Sequence, residues 1–459
     1  MISNGLWRVA KPVSQAFIGG FFGVLTNGGR EVDPVNNLSR PHYIKELLLD
    51  SATTMTVLSP VPNAPDIVQP LPFLEAVETA GVVKQLAGGT ERTVVHSYVM
   101  PNRGSTKVSN SRTPALYLQE ELDIMMERAM SHPHFLRGWK VYSPYSDIPY
   151  GPGFLHNDEI GLAMLEQIVK ITELTKGQVP PCLASHKGPQ LPGFDANSNA
   201  CHDVGPAARQ YPGVNFIIYH SGAGGGTSAP YPGDDKVVDN VASVNSLIKS
   251  LRINGLDAES HIPTGLSHGN SPNVYAEIGS TWRGVMANPN NASHFLGKLI
   301  KHVGAQRVVW GTDCLWYGSP QPEIVALRSL QMSDAAKEEY NLPYGLDGDR
   351  FDPTRNAMDA ASYMVENPAV PGWPMDAQAH PERTIRNGIF GRNAAAPYRV
   401  DPDVFLDKIK CDDVVALRNQ YYVNEYTNLE AAPGRTNMLN GPRTRQQADK
   451  LRLEEGWIP

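Results

Sequence analysis

The strongest constraint on this chain is a rhythm in which a short apolar run is followed by an amphipathic helical stretch, seven times in succession. The apolar runs fall at residues 55–58, 94–100, 139–142, 182–185, 215–219, 274–278 and 308–310. They are continuous rather than alternating, so they read as strands buried on both faces. Between them apolar side chains recur at helical spacing. One set is Phe73, Leu74, Val77 and Val83, and another is Leu162, Leu165, Ile168, Ile171 and Leu174. Val241, Val244, Ile248 and Leu251 form a third, and Phe295, Leu296, Leu299, Ile300 and Val303 a fourth. The alternation predicts an α/β fold with a parallel sheet covered by helices. Seven units are one short of a TIM-type (β/α)8 barrel, so the expectation is that barrel with its first strand missing or atypical. A doubly wound open sheet is the runner-up. It would carry a Gly-rich phosphate turn after its first strand, and none stands there.

The barrel is expected to span residues 51–398, interrupted near 333–385 by an insertion rich in Asp, Pro and Tyr. An N-terminal loop and helix region (1–50) precedes it, with Tyr43, Leu47 and Leu48 at helical spacing. A polar extension (399–459) follows, and such an appendage suits a homo-oligomer contact.

Composition narrows the function more than the fold. The net charge is -7 with both signs interspersed, which argues against a nucleic-acid partner. The four cysteines, Cys182, Cys201, Cys314 and Cys411, are scattered without CxxC spacing, which favours free thiols in a reducing compartment, the cytoplasm. No run reaches the roughly 18 apolar residues of a membrane span. Residues 16–25 resemble a signal-peptide core behind Arg8 and Lys11, but no small-residue cleavage site follows, and a buried Gly-rich loop is the reading adopted.

In a parallel barrel the C-terminal strand ends converge on one face, which holds the active site. Those ends carry Lys140, His186, His220, Glu277 and Asp313. Two histidines and a carboxylate on separate strands suit a borderline divalent ion: zinc first, with manganese or iron as alternatives. Taken singly each has a plainer reading, a polar loop histidine or a turn or N-cap aspartate. Lys140 lies inside its strand. It can point into the barrel, stack on Trp139, or, if carbamylated, bridge two metals. Glu277 can orient a ligand or pair with Arg283. Arg283 and Trp316, with Trp282 and Tyr317, are the candidates for anionic and aromatic groups of a small-molecule substrate. His132-Pro133-His134 has metal-gripping spacing but precedes its strand, at the wrong end. The Gly-rich residues 221–226 lack the Lys-Ser/Thr of a P-loop.

His186 within Ser-His-Lys-Gly, His220 within Tyr-His-Ser-Gly and Asp313 within Trp-Gly-Thr-Asp, in that order, resemble the amidohydrolase superfamily. The likeness is to the branch of amidohydrolase-related (amidohydrolase 2) hydrolases and metal-dependent aromatic acid decarboxylases. Gly-Ile-Phe-Gly-Arg-Asn-Ala-Ala at residues 388–395 is similar to the family's C-terminal barrel helix motif. The resemblance covers about residues 50–330 and 385–398. It implies that His186 is a metal ligand, that His220 acts beside the metal as acid, base or electrophile, and that Asp313 is both ligand and catalytic proton carrier. It implies a metal-dependent hydrolase of a small carboxylate, lactone or amide, or a decarboxylase of an aromatic or unsaturated acid. The family's first-strand His-x-His has no counterpart before residue 55. The expectation is therefore an incomplete metal site, finished by an upstream segment or a partner chain, or a non-catalytic barrel subunit that has lost its metal strand.

Overall fold

The computed structural model describes residues 39–62, 71–105, 114–146, 152–191, 193–258, 273–314, 319–350, 381–410 and 412–420. The stretch at 16–25, Trp316 and Tyr317, much of the expected insertion, and the chain beyond residue 420 lie outside them.

Seven strands lie in one sheet in chain order: β1 (Thr56–Leu58), β2 (Thr93–Tyr98), β3 (Leu136–Tyr142), β4 (Cys182–His186), β5 (Asn215–Tyr219), β6 (Val274–Glu277) and β7 (Val308–Val309). β1 pairs with β2 in parallel, and β3 to β7 each pair in parallel with the next. A doubly wound sheet would reverse its strand order at a switch point, and this one does not. The fold is α/β, with the strand succession of a (β/α)8 barrel and seven of its strands among the described residues. β7 is shorter than its apolar run, because Trp310 leaves the ladder and packs its ring 5.0 Å from that of Phe390.

The intervening helices include α1 (Phe73–Leu86), α2 (Leu118–Ser131), α3 (Glu159–Leu174), α4 (Val204–Gln210), α5 (Val244–Ile253), α6 (Gly279–Val285) and α7 (Pro289–Lys298). Asp158 caps α3 by accepting from the Gly161 amide at 2.9 Å. The buried face of α3 runs through Ile160, Met164, Ile168 and Ile171, while Leu174 is 54% exposed. Steps of three, as from Leu162 to Leu174, drift about 60° each on a helix of 3.6 residues per turn, so that row leaves the core. Helix α5 starts at a reciprocal cap between Ser243 and Ser246, which leaves Val241 outside it and exposed. On α1 the buried face is Phe73, Ala76, Val77, Ala80 and Val83, with Leu74 turned out to solvent.

The chain divides into two compact units, one of Met1–His96, Thr312–Arg328 and Asp401–Pro459, the other of Ser97–Gly311 and Ser329–Val400. In the first, Tyr43, Leu47 and Leu48 pack with Val83, Ala87 and Val414. Arg92, buried, grips Asp412 through both terminal and ε nitrogens at 2.7 and 2.6 Å. That two-point geometry suits guanidinium and carboxylate and ties the C-terminal segment to β2. The second unit carries β3 to β7. Register places Tyr142 beside His186, His186 beside Tyr219, and Glu277 beside Val309. Side chains alternate along a strand, so Lys140 and Tyr142, Ala184 and His186, Ile217 and Tyr219, and Tyr275 and Glu277 share one face.

Candidate active site

His186 is the last residue of β4, and His220 follows the last residue of β5. Both are buried. Their ring centroids are 4.8 Å apart at 75°, and His220 Nε2 lies 3.3 Å from His186 Nδ1. Tyr142 and Phe194 meet the His186 ring edge-on, at 4.3 and 5.4 Å. Lys140 is buried, with Nζ 3.2 Å from the centroid of the Tyr219 ring and 5.0 Å from that of Tyr142. It therefore points away from Trp139 and sits as a cation against two aromatic faces. Burial pushes the His186 pKa well below its ordinary value, and the positive charges of His220 and Lys140 push the same way. His186 is thus a neutral imidazole with a free lone pair, and its buried Nε2 has no hydrogen-bond partner among the described residues.

His220 sits on an unusual backbone. His220, Ser221 and Gly222 are successively left-handed, with φ of 59°, 53° and 67°. For the two residues with a Cβ this costs on the order of 1–2 kcal/mol each. Hydrogen bonds hold the turn. The His220 amide donates to Glu277 Oε2 at 2.8 Å, the Ser221 hydroxyl to the Glu277 carbonyl at 2.9 Å, and the Thr281 hydroxyl to the His220 carbonyl at 2.8 Å. Glu277, named from sequence as a substrate-binding candidate, is here bonded to backbone. The glycines after His220 serve close packing: a Cβ on Gly222 would meet the Cys201 sulfur at 2.3 Å.

A second polar cluster was not foreseen from sequence. On β4, Ser185 faces opposite to His186 and its Oγ lies 2.9 Å from His156 Nε2. His156 Nδ1 lies 2.7 Å from Asp203 Oδ2. Lys187 Nζ donates to both oxygens of Asp203 at 2.7 and 2.9 Å, and to the carbonyls of Ser198 and Ala200. All four side chains are fully buried. Burial alone would raise the Asp203 pKa, but Lys187 and His156 outweigh it and hold the carboxyl ionised. Burial lowers the His156 pKa, against Asp203 and with Lys187, so that ring is neutral. The partners lie far apart in the chain, so no local spacing announces them.

The remaining sequence candidates are placed as follows. Arg283 is half-buried on α6, and Trp282 beside it is fully buried in the core. Asp313 belongs to the other unit, half-buried and left-handed at φ 51°, and the next described helix begins only at Gln321. Trp316 lies outside the described residues. His132 and His134 lie in the loop between α2 and β3, at the N-terminal end of the strands. Among the described residues no three His, Cys, Asp or Glu side chains gather to hold a metal ion. The facing imidazoles of His186 and His220, with nitrogens 3.3 Å apart, are the part of the site whose chemistry would suit one.

Fold and site define an α/β protein of parallel strands in barrel order, with two buried imidazoles facing each other at adjacent strand ends. No protein-family model and no curated protein matches the sequence. Among solved structures, the dihydroxybenzoic acid decarboxylase of Polaromonas sp. JS666, with bound manganese and 2-nitroresorcinol, is similar at 12% identity over 74% of this chain and 90% of its own, with a TM-score of 0.36. The dihydroorotase of Saccharomyces cerevisiae is similar at 15% identity over 79% of this chain and 81% of its own, TM-score 0.35. The 2,6-dihydroxybenzoate decarboxylase from Rhizobium is similar at 12% identity over 59% and 79%, TM-score 0.30.

Proposed function

We propose that this chain is a metal-dependent hydrolase of the amidohydrolase superfamily, acting on a small carboxylate, lactone or amide. The observation that carries the reading is the pair of buried, facing imidazoles at the ends of neighbouring parallel strands. His186 fits as a donor to a divalent ion, zinc first and manganese or iron next, with His220 beside it. Such an ion lowers the pKa of water toward neutrality and polarises a carbonyl. His186 supplies a lone pair because burial keeps it neutral. His220 gives and takes a proton at Nε2, the atom turned toward His186. Lys140 draws in the substrate carboxylate, while Tyr142 and Phe194 keep water from the His186 ring. Asp313, carried by the chain beyond β7, is assigned from sequence order as a ligand and proton acceptor, and Arg283 and Trp316 as substrate contacts.

Decarboxylation of an aromatic or unsaturated acid is the second reading, favoured by the aromatic rings of Tyr142, Phe194 and Tyr219 around a buried ammonium. A non-catalytic barrel subunit is the third, favoured by the absence of a three-donor group among the described residues. We place the protein in the cytoplasm as a homo-oligomer, or with a partner chain that completes the barrel. Among the described residues no helix is long and apolar enough to cross a membrane. Elemental analysis of the purified protein decides first. About one equivalent of zinc, manganese or iron per chain supports an enzyme, and reproducible absence supports the subunit.

A further inference from the structure

We propose that Glu277 is a positioning residue for His220, and that Gly311 is glycine in order to leave its carboxylate room. The Glu277 side chain is buried and accepts the His220 amide at 2.8 Å, while its own carbonyl accepts the Ser221 hydroxyl. The two bonds close on the left-handed turn from both sides. That turn sets the direction in which the His220 imidazole leaves the backbone, and so the 3.3 Å approach of its Nε2 to His186. An unheld chain would relax toward the ordinary right-handed or extended regions, carrying the ring away.

The space around the carboxylate is defined by two absent methyl groups. A Cβ on Gly311 would lie 1.5 Å from Glu277 Oε1 and 2.4 Å from Cδ. One on Gly279 would lie 2.7 and 2.8 Å from the two carboxylate oxygens and 3.0 Å from His220 Nδ1. Gly311 does not have a left-handed φ, so its backbone tolerates alanine and only the Glu277 side chain objects. The glycine of Trp-Gly-Thr-Asp is thus explained by a carboxylate on the neighbouring strand β6, not by a turn.

The inference rests on His186 and His220 being a working pair only for its effect on turnover; the geometry is read without it. The full-length protein, labelled with ¹⁵N-histidine, is compared by ring-nitrogen NMR with four variants. Glu277→Ala and Gly311→Ala should each lose the signature of the hydrogen-bonded ring pair. Glu277→Gln, which keeps an oxygen acceptor, should retain it. The double variant Glu277→Ala/Gly311→Ala should match Glu277→Ala alone, because the added methyl then occupies the vacated space. An unchanged pair signature in Glu277→Ala, or in Gly311→Ala, overturns the proposal. So does its loss in folded Glu277→Gln, or a double variant whose melting temperature falls by the sum of the single losses. Should Glu277→Ala fail to fold, Gly311→Ala and Glu277→Gln decide alone. A metal-free wild-type protein with an intact pair signature would refute the metal reading and leave this one standing.

Discussion

Replacing Lys187 with methionine should weaken the protein's loss of stability in mild acid. In the wild type Lys187 faces Asp203, and both press on His156. Methionine keeps the length of the stem and removes the ammonium. The carbonyls of Ser198 and Ala200 lose a donor, and Asp203 keeps only the His156 amide and ring. Removing one partner of a buried pair costs about 3–5 kcal/mol. With two donors left on the carboxylate, the lower end applies, ~3 kcal/mol at pH 8, or roughly 3–5 °C in melting temperature. The response to acid follows from the proton count. Wild-type His156 has a folded pKa below its unfolded value, so on acidification through about 6.5 the unfolded chain takes up the proton first and stability falls. In the variant the repelling charge is gone and Asp203 remains, so the folded pKa rises. The difference between wild type and variant should therefore narrow from pH 8 to pH 5.5, by about 1.4 kcal/mol for each unit separating the two folded pKa values. Thermal melts of both proteins across that range test it. A variant as stable as wild type at pH 8, or one whose deficit stays constant or widens in acid, would refute the reasoning.

Other substitutions probe other parts of the molecule. On the proposed function, His220→Asn should lower turnover by about 10²-fold or more while bound metal falls less, measured by steady-state rate and elemental content; loss of metal would make His220 a ligand. Asp313→Asn, near-isosteric, should abolish turnover with little change in melting temperature, and full activity would remove it from the chemistry. Burial lowers Lys298 to a pKa of about 8, and its ammonium is held by the Gly226 carbonyl and Asn245. Its folded pKa lies below the unfolded one, so stability relative to Lys298→Met should grow as pH rises from 8 to 10; a flat difference would place Lys298 in contact with water.

The sequence revealed the strands well because each is buried on both faces and must be apolar throughout, as Cys182–His186 shows with five buried residues in a row. It revealed His186 and His220 because a polar residue directly after such a run stands out. Helix faces were read less well. The row from Leu162 to Leu174 and the inclusion of Val241 both followed apolar content without following helical geometry or the cap at Ser243. What escaped altogether was the second role of each polar residue. Glu277 could be read as orienting a ligand or as pairing with Arg283, because nothing in its own segment tells that Gly311 leaves a notch for it. The meeting of His156, Asp203 and Lys187 is not announced in the sequence either, since they come together only when β4 and α4 are in place.

The two histidines are consequently held by different means. His186 inherits its position from the residues on either side of it: Ser185 is fastened to His156, and Lys187 to Asp203 and two carbonyls, all on the helix-covered face. His220 has no strand to hold it and relies on a carboxylate from β6 and a hydroxyl from α6. A strand end fixed by neutral and ionic bonds behind it is rigid, whereas a left-handed turn held by a few hydrogen bonds stores strain that is released when they break. If the pair has a mobile member, it is His220, and this suits the residue proposed to carry the proton. The ligand proposed to stay fixed, His186, is the one anchored on both sides.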